Sequence, residues 1–316
     1  MSTAAVDTAR TSERLSAYLS EIHSNEPVDN IFVRLALLDF LLKKRDVGNH
    51  GRQVLIPLDT AQNGSVQEFS DTDAFDVSIP DTARSAVYAM VNYGGSLAFS
   101  WEEMRETASD DVRVFDLVSH RRRNVMKALR DLINGHMFAS SVASKRINSL
   151  PVIASTSRSL GGINSASNSY WDAQETTSVG AFASSGLSSM RTLYNNILQA
   201  NGEAPELIVT TQSVMEAFEN EIDVDVRYAK SDVLSRGAEE LHFRSARIVF
   251  DDDCPTGHLY MVNSKNLEFY VDSAGDFQFG DVKESFSQAV FAAKLMFRGQ
   301  LLSAAPRGLG RLTGIT

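Results

Sequence analysis

The residues that come nearest to a chemical cluster are Asp251, Asp252, Asp253, Cys254 and His258. A thiol four residues from an imidazole is half of a metal site or the start of a nucleophile–base pair. A structural zinc needs about four N/S ligands, and Cys-x3-His has no second pair in a chain whose only cysteine is Cys254. The stretch DDDCPTG (251–257) reads instead as a turn with solvated acids. Histidines at 23, 50, 120, 136, 242 and 258 fall into no Ser/His/Asp frame. FASSGL, around Ser184 and Ser185, is the nearest approach to G-x-S-x-G and lacks its first glycine. Gly308, Gly310 and Gly314 spell G-x-G-x3-G, but a phosphate cradle needs a helix after it, and two residues follow Gly314. The sequence therefore assigns no catalytic residue, no cofactor-binding residue and no metal ligand.

Positive charge gathers at Arg121, Arg122, Arg123, Lys127 and Arg130. Such a cluster is either a solvated helix face paired with neighbouring carboxylates or a surface turned to phosphates without base readout. No DNA- or RNA-reading motif accompanies it.

The elements that must carry these residues are marked by the hydrophobic period. Residues 1–10, rich in Ser, Thr and Ala, read as a flexible arm. Leu15, Tyr18, Leu19 and Ile22 fit a helix ended by Pro27; Ile31, Leu35, Leu38 and Leu42 fit a second, with Lys43, Lys44 and Arg45 at its negative end and Gly48 as a stop. From Arg52 to Ala98 the period becomes strand-like. Val54 to Leu58 lead to an Asn63-Gly64 hairpin turn, with Val66 and Phe69 returning on the far side. Phe75, Val77 and Ile79 alternate before Pro80, and Val87 to Tyr93 form a strand closed by Gly94-Gly95. Ser109 opens a helix from Asp110 to Phe138 with Val112, Phe115, Val118, Val125, Leu129, Leu132 and Ile133 on its apolar stripe. Residues 154–186 read as long surface loops, 187–200 as a helix stopped near Gly202, and 206–210 as a buried strand. Ser213 and Glu216 suggest a capping box opening a helix through Phe218. Strands are expected at 224–228, 241–243, 248–250, 258–262 and 267–271, with one long strand over 286–302 and a Gly-rich tail after it.

The chain has 316 residues, 43% hydrophobic and 22% charged, which excludes global disorder and small disulfide scaffolds. Its longest apolar stretch, Ile31 to Leu42, is interrupted by Arg34 and Asp39 and is too short to span a bilayer. No secretory signal opens the chain and no intrachain disulfide can form, which fits a reducing compartment. The net charge of −10 is unevenly spread: residues 51–100 carry 2 basic and 6 acidic groups, residues 101–150 carry 9 and 7, and residues 201–250 carry 5 and 10.

Several stretches resemble one family in wording as well as order. They are RQVLIPLDT (52–60), DDVRVFDLVSHRRRNVMKALRDLINGHMF (110–138), GGINSASNSYWDAQ (161–174), PELIVTTQSVMEAFE (205–219), CPTGHLYMVNSKNLEFYV (254–271) and FRGQLLSAAPRGLGRLTGI (297–315). Together they resemble the major capsid (coat) proteins of tailed bacteriophages, with the Hong Kong phage-type capsid fold. The resemblance implies an α+β fold divided into an N-terminal arm (1–50), an extended β-hairpin loop (51–100), a peripheral domain with a long spine helix (101–149 and 261–303), an axial domain (150–260) and a C-terminal tail packing on it (304–316). It further implies pentamers and hexamers closing an icosahedral shell around double-stranded DNA, in a virion assembled in the host bacterial cytoplasm, with no enzyme activity and no membrane. Arg121, Arg122, Arg123, Lys127 and Arg130 would then face the shell interior or a neighbouring subunit, and Arg52, Asn63, Gly64 and Arg84 would make contacts through the extended loop.

The same resemblance implies a portal protein, a scaffolding protein encoded separately, if there is one, and room for a decoration protein. Some members join a loop lysine to an asparagine of a neighbour. Residues 51–100 hold Arg52 and Arg84 and no lysine, so no such cross-link is expected here. Two other readings stand beside this one: an encapsulin-like compartment of the same fold, and an unrelated cytosolic hydrolase.

Overall fold

The computed structural model describes residues 35–49, 51–61, 65–66, 68, 70–71, 82–107, 111–226, 241–284 and 288–316. Helix α1 (Ala36–Lys43) buries Leu37, Leu38, Leu41 and Leu42 on one face. Strand β1 (Asp46–Gly48) follows, then β2 (Gln53–Asp59), β3 (Ala83–Ala89) and β4 (Val91–Ser100). The short helix α2 (Trp101–Thr107) precedes α3 (Asp111–Met137), whose 27 residues make a rod of about 40 Å. Short pieces come next: α4 (Leu150–Ile153), β5 (Ser159–Leu160), β6 (Ile163–Asn164) and β7 (Gln174–Thr176). Then come α5 (Leu187–Asn201), β8 (Leu207–Thr210), α6 (Gln212–Val226), β9 (Leu241–Phe243) and β10 (Ala246–Phe250). The last run is β11 (Leu259–Val262), β12 (Glu268–Asp272), β13 (Gln278–Phe279), β14 (Lys283–Glu284), β15 (Val290–Leu302) and β16 (Gly310–Leu312).

Two six-stranded sheets organise these elements. The first is built on β15. Strand β4 covers one edge of it from Val290↔Ser100 to Gly299↔Val91, while β12, β13 and β14 share the other edge and β1 adds parallel to β12. Alternation puts Phe291, Ala293, Leu295, Phe297 and Leu301 of β15 on the buried face, with Val91, Tyr93, Leu97 and Phe99 of β4 beside them. Helix α3 packs on that face through Val118, Met126, Leu129, Ile133 and Met137.

The second sheet runs β7-β16-β11-β8-β10-β9. Met190, Leu193 and Ile197 of α5, with Val214 and Phe218 of α6, cover one face at Ile208, Ile248, Leu259, Met261 and Leu312. Leu207, Val209, Tyr260 and Val262 point the other way, into the larger core that also holds α1 and α3. Strands buried on both faces read as unbroken apolar runs, which is why LIVT and LYMV carry no polar alternation.

Several elements differ from the sequence reading. The partner of β2 is β3, with Gln53 opposite Ala89 and Asp59 opposite Ala83, and not the Val66–Phe69 stretch. The ribbon therefore closes through a long connection; Asn63, Gly64, Phe69, Phe75, Val77, Ile79 and Pro80 lie outside the described residues. Val87 to Tyr93 is divided between β3 and β4, and Gly94-Gly95 lie inside β4 rather than ending it. A Cβ on Gly95 would sit 2.8 Å from Val125 Cγ1, so Gly95 lets α3 approach the strand. Leu132 is exposed instead of joining the apolar stripe. Helix α6 starts at Gln212, which places Ser213 inside it, and it runs to Val226 where a strand was expected. Gly48 lies in β1, past the helix end at Lys43. The Gly-rich tail supplies β16, an inner strand between β7 and β11. The expected helix over 15–22, the start of the second helix at Ile31, the Ser109–Asp110 helix start, residues 227 and 228, and Phe286 fall outside the described residues, as do His23 and His50.

Candidate assembly surfaces

The Asp251–His258 turn is structural in its contacts. Cys254 is buried, burial pushes its thiol well above the ordinary value, and its Sγ lies 3.9 Å from the Pro255 carbonyl and 3.8 Å from that of His258. The His258 ring meets Tyr260 Oη at 3.0 Å instead of the thiol. Asp251 corrects the reading of the turn as solvated acids. It is buried, accepts from Leu37 N at 3.2 Å and from Asn134 Nδ2 at 2.9 Å, and so ties α1 and α3 to the β10–β11 turn. Asn134 also donates to Asp253 at 2.8 Å. Among the described residues no group of three or more His, Cys, Asp or Glu is placed to hold a metal ion.

The basic cluster splits into two sets. Arg121 donates to the Ala98 carbonyl, pairs with Glu103 and lies over the Phe99 ring at 5.3 Å. Arg122 is buried over Phe279 at 5.1 Å, and Arg130 lies over Phe277 at 5.2 Å. These three guanidiniums fasten α3 to the first sheet by cation–π contact. Arg123 and Lys127, one helical turn apart, are exposed, and Arg123 Nε donates to the Ser119 carbonyl of its own helix at 3.3 Å. The i, i+4 spacing was visible in the sequence; the aromatic partners, 22 to 157 residues away, were not.

The β2–β3 ribbon is anchored at its base and bare above. Its inner face, Val54, Ile56, Ala86 and Tyr88, packs on the main core; Tyr88 Oη donates to the Ser303 carbonyl at 2.8 Å and Val87 N to that of Gly161 at 2.9 Å. Its outer face carries Leu55, 64% exposed, directly opposite Val87, 37% exposed. Arg52 is exposed beside Gly51, whose carbonyl accepts from Arg298 at 2.8 Å, and Arg84 donates to Asn168 at 3.3 Å. No sequence motif marked the Leu55–Val87 pair, although the alternation of 53–59 contains it.

Solved structures share this arrangement over almost the whole chain. The capsid of cyanophage A-1(L) superposes with a TM-score of 0.70 at 15% identity, covering 92% of this chain and 96% of that one. The chain has the tailed-phage major-capsid fold. The capsid of the Myoviridae phage XM1 matches with a TM-score of 0.60 at 11% identity, over 88% and 92% of the two chains. The SrpI encapsulin of Synechococcus elongatus PCC 7942 matches with 0.56 at 9%, over 94% of each. No protein-family model matches the sequence, and no curated protein does. Among the described residues no helix is long and apolar enough to cross a membrane.

Proposed function

We propose that this chain is the major capsid protein of a tailed double-stranded DNA phage, a structural protein that assembles into the pentamers and hexamers of an icosahedral shell. The observation that carries the reading is the end-to-end match to the cyanophage capsid, with 92% and 96% of the two chains covered. The exposed Leu55–Val87 pair on the outer face of the ribbon supports it, since apolar surface of this kind gains from a neighbour's cover. In this reading residues 1–50 form the arm, 51–100 the extended loop, 101–149 with 261–303 the peripheral domain and 150–260 the axial domain, with 304–316 packing on the last. Arg123 and Lys127 are the part of the basic cluster that faces packaged DNA, held without sequence preference. Portal and scaffolding proteins would be encoded nearby.

The SrpI match favours a second reading, an encapsulin-like compartment. Expression with the flanking genes, followed by electron microscopy and nuclease digestion, separates the two. Closed shells that protect DNA support the phage capsid; closed shells that hold a protein cargo and no DNA support the compartment. A small oligomer in light scattering, with no shells under either condition, would overturn both.

A further inference from the structure

The last turn of α3 carries a hydrogen-bond chain that neither reading uses. Tyr93 of β4 is buried, and its hydroxyl is 3.0 Å from Ile147 N and 3.0 Å from His136 Nδ1. A backbone N–H only donates, so Tyr93 accepts from Ile147. Among the described residues the remaining partner of the Tyr93 proton is His136 Nδ1. Nδ1 is therefore the acceptor, and the neutral imidazole carries its proton on Nε2. The chain of bonds closes on the segment 139–149, which leaves the end of α3 and is fixed again where Asn148 bonds Gln300 Oε1 and the Leu301 carbonyl, each at 2.8 Å.

We propose that Tyr93 and His136 form a proton-operated clasp on segment 139–149, closed while the imidazole is neutral and opened when it takes a second proton. An imidazolium has no lone pair at Nδ1, so the Tyr93 proton loses its acceptor at a part-buried site, and the new Nδ1–H competes with Ile147 N–H for the hydroxyl oxygen. The charged and titratable neighbours do not rescue the cation. From the segment itself comes Arg146, whose charge opposes it. From the β10–β11 turn come Asp253, 4.0 Å from the Cβ position of Gly135, and Asp251, both held by Asn134. From β15 comes the Phe297 ring, packed on Tyr93, and Arg298 with Asp272 of β12 lines the same cavity as Tyr93, the two paired with each other at 3.3 Å. Burial first and Arg146 second hold His136 below its ordinary value of 6.5. Its contribution to stability is complete above that value and is lost as pH falls through the folded one. The inference stands on one folded chain and is independent of the capsid reading.

Hydrogen–deuterium exchange, corrected for intrinsic rates, tests it on the purified protein in steps from about pH 7.5 down to about pH 4.5. Peptides spanning 139–149 should lose roughly fivefold in protection across these steps, the worth of one ordinary hydrogen bond. His136→Gln, whose side-chain oxygen accepts at every step, should remove the pH response; His258→Gln should keep it. The clasp is overturned if the wild type shows no loss, or if His136→Gln shows the same loss as the wild type. Should the variant fail to fold, nitrogen NMR of the wild-type histidines decides: Nε2–H at His136 supports the clasp, and Nδ1–H at about pH 7.5 overturns it.

Discussion

Asp251 joins three segments through one carboxylate, and its chemistry follows from where it lies. Three donors aim at it: Leu37 N, Asn134 Nδ2 and Asp253 N at 3.1 Å. Those bonds favour the charged form, but burial outweighs them, and the carboxyl stays above its ordinary value of 3.8. A carboxyl raised on folding contributes fully below its unfolded value, and that contribution is lost as pH rises through the folded one. Asp251→Asn turns an amide toward donors and should cost about 1–3 kcal/mol, the usual penalty for unsatisfied buried groups. The gap between wild type and variant in denaturant titrations should be widest near about pH 4 and shrink toward about pH 8. A gap that grows with pH would contradict the assignment. Nothing local in DDDCPTG tells the buried acid from its solvated neighbours. The distinction is made by α1, 214 residues away in sequence, and a turn signal carries no information at that range.

Elements were legible where period and burial agree. Helix α3 buries Val118, Leu129 and Ile133 of its expected stripe but leaves Leu132 exposed, and the apolar runs of β8 and β11 announce strands covered on both faces. Gly94-Gly95 misled because glycine marks turns and close approaches alike, and only the packing partner separates them. Gly95→Val should therefore destabilise the fold by about 1–3 kcal/mol through overpacking against Val125, with partial recovery in Gly95→Val/Val125→Ala, both read from denaturant midpoints. A neutral Gly95→Val would remove the close approach as the reason for glycine. The ribbon makes the opposite kind of prediction. Leu55 touches solvent and Val87 on the outer face, so Leu55→Asp should leave the unfolding midpoint within about 0.5 kcal/mol of wild type, as surface substitutions do. Its effect should fall on assembly, lowering the yield of closed particles in micrographs. Normal particles from Leu55→Asp would show that this face is not a subunit contact.

At the scale of the whole molecule, the order of elements was more legible than any single motif, because architecture is spread over the chain while each motif is short and common. The basic cluster shows the limit: five cations in ten residues looked like one surface, and aromatic rings in and beside the first sheet take three of them. The same view of the chain bears on what would hold a shell together. A lysine–asparagine cross-link needs an amine that can lose its proton, and the guanidiniums of Arg52 and Arg84 cannot supply one. The nearest lysines are already committed or distant: Lys43 pairs with Asp39 at 2.9 Å, Lys44 pairs with Glu206 at 2.5 Å, and Lys127 stands on α3. Cys254 is buried inside its own subunit and out of reach of a neighbour's thiol. Cohesion would then rest on buried apolar area, with faces such as Leu55–Val87 contributing, and on ion pairs between subunits. Assembled particles boiled in detergent should run as one band near 34.7 kDa, with or without reductant. A ladder of multiples that survives reductant would show that another amine has taken the place of the missing loop lysine.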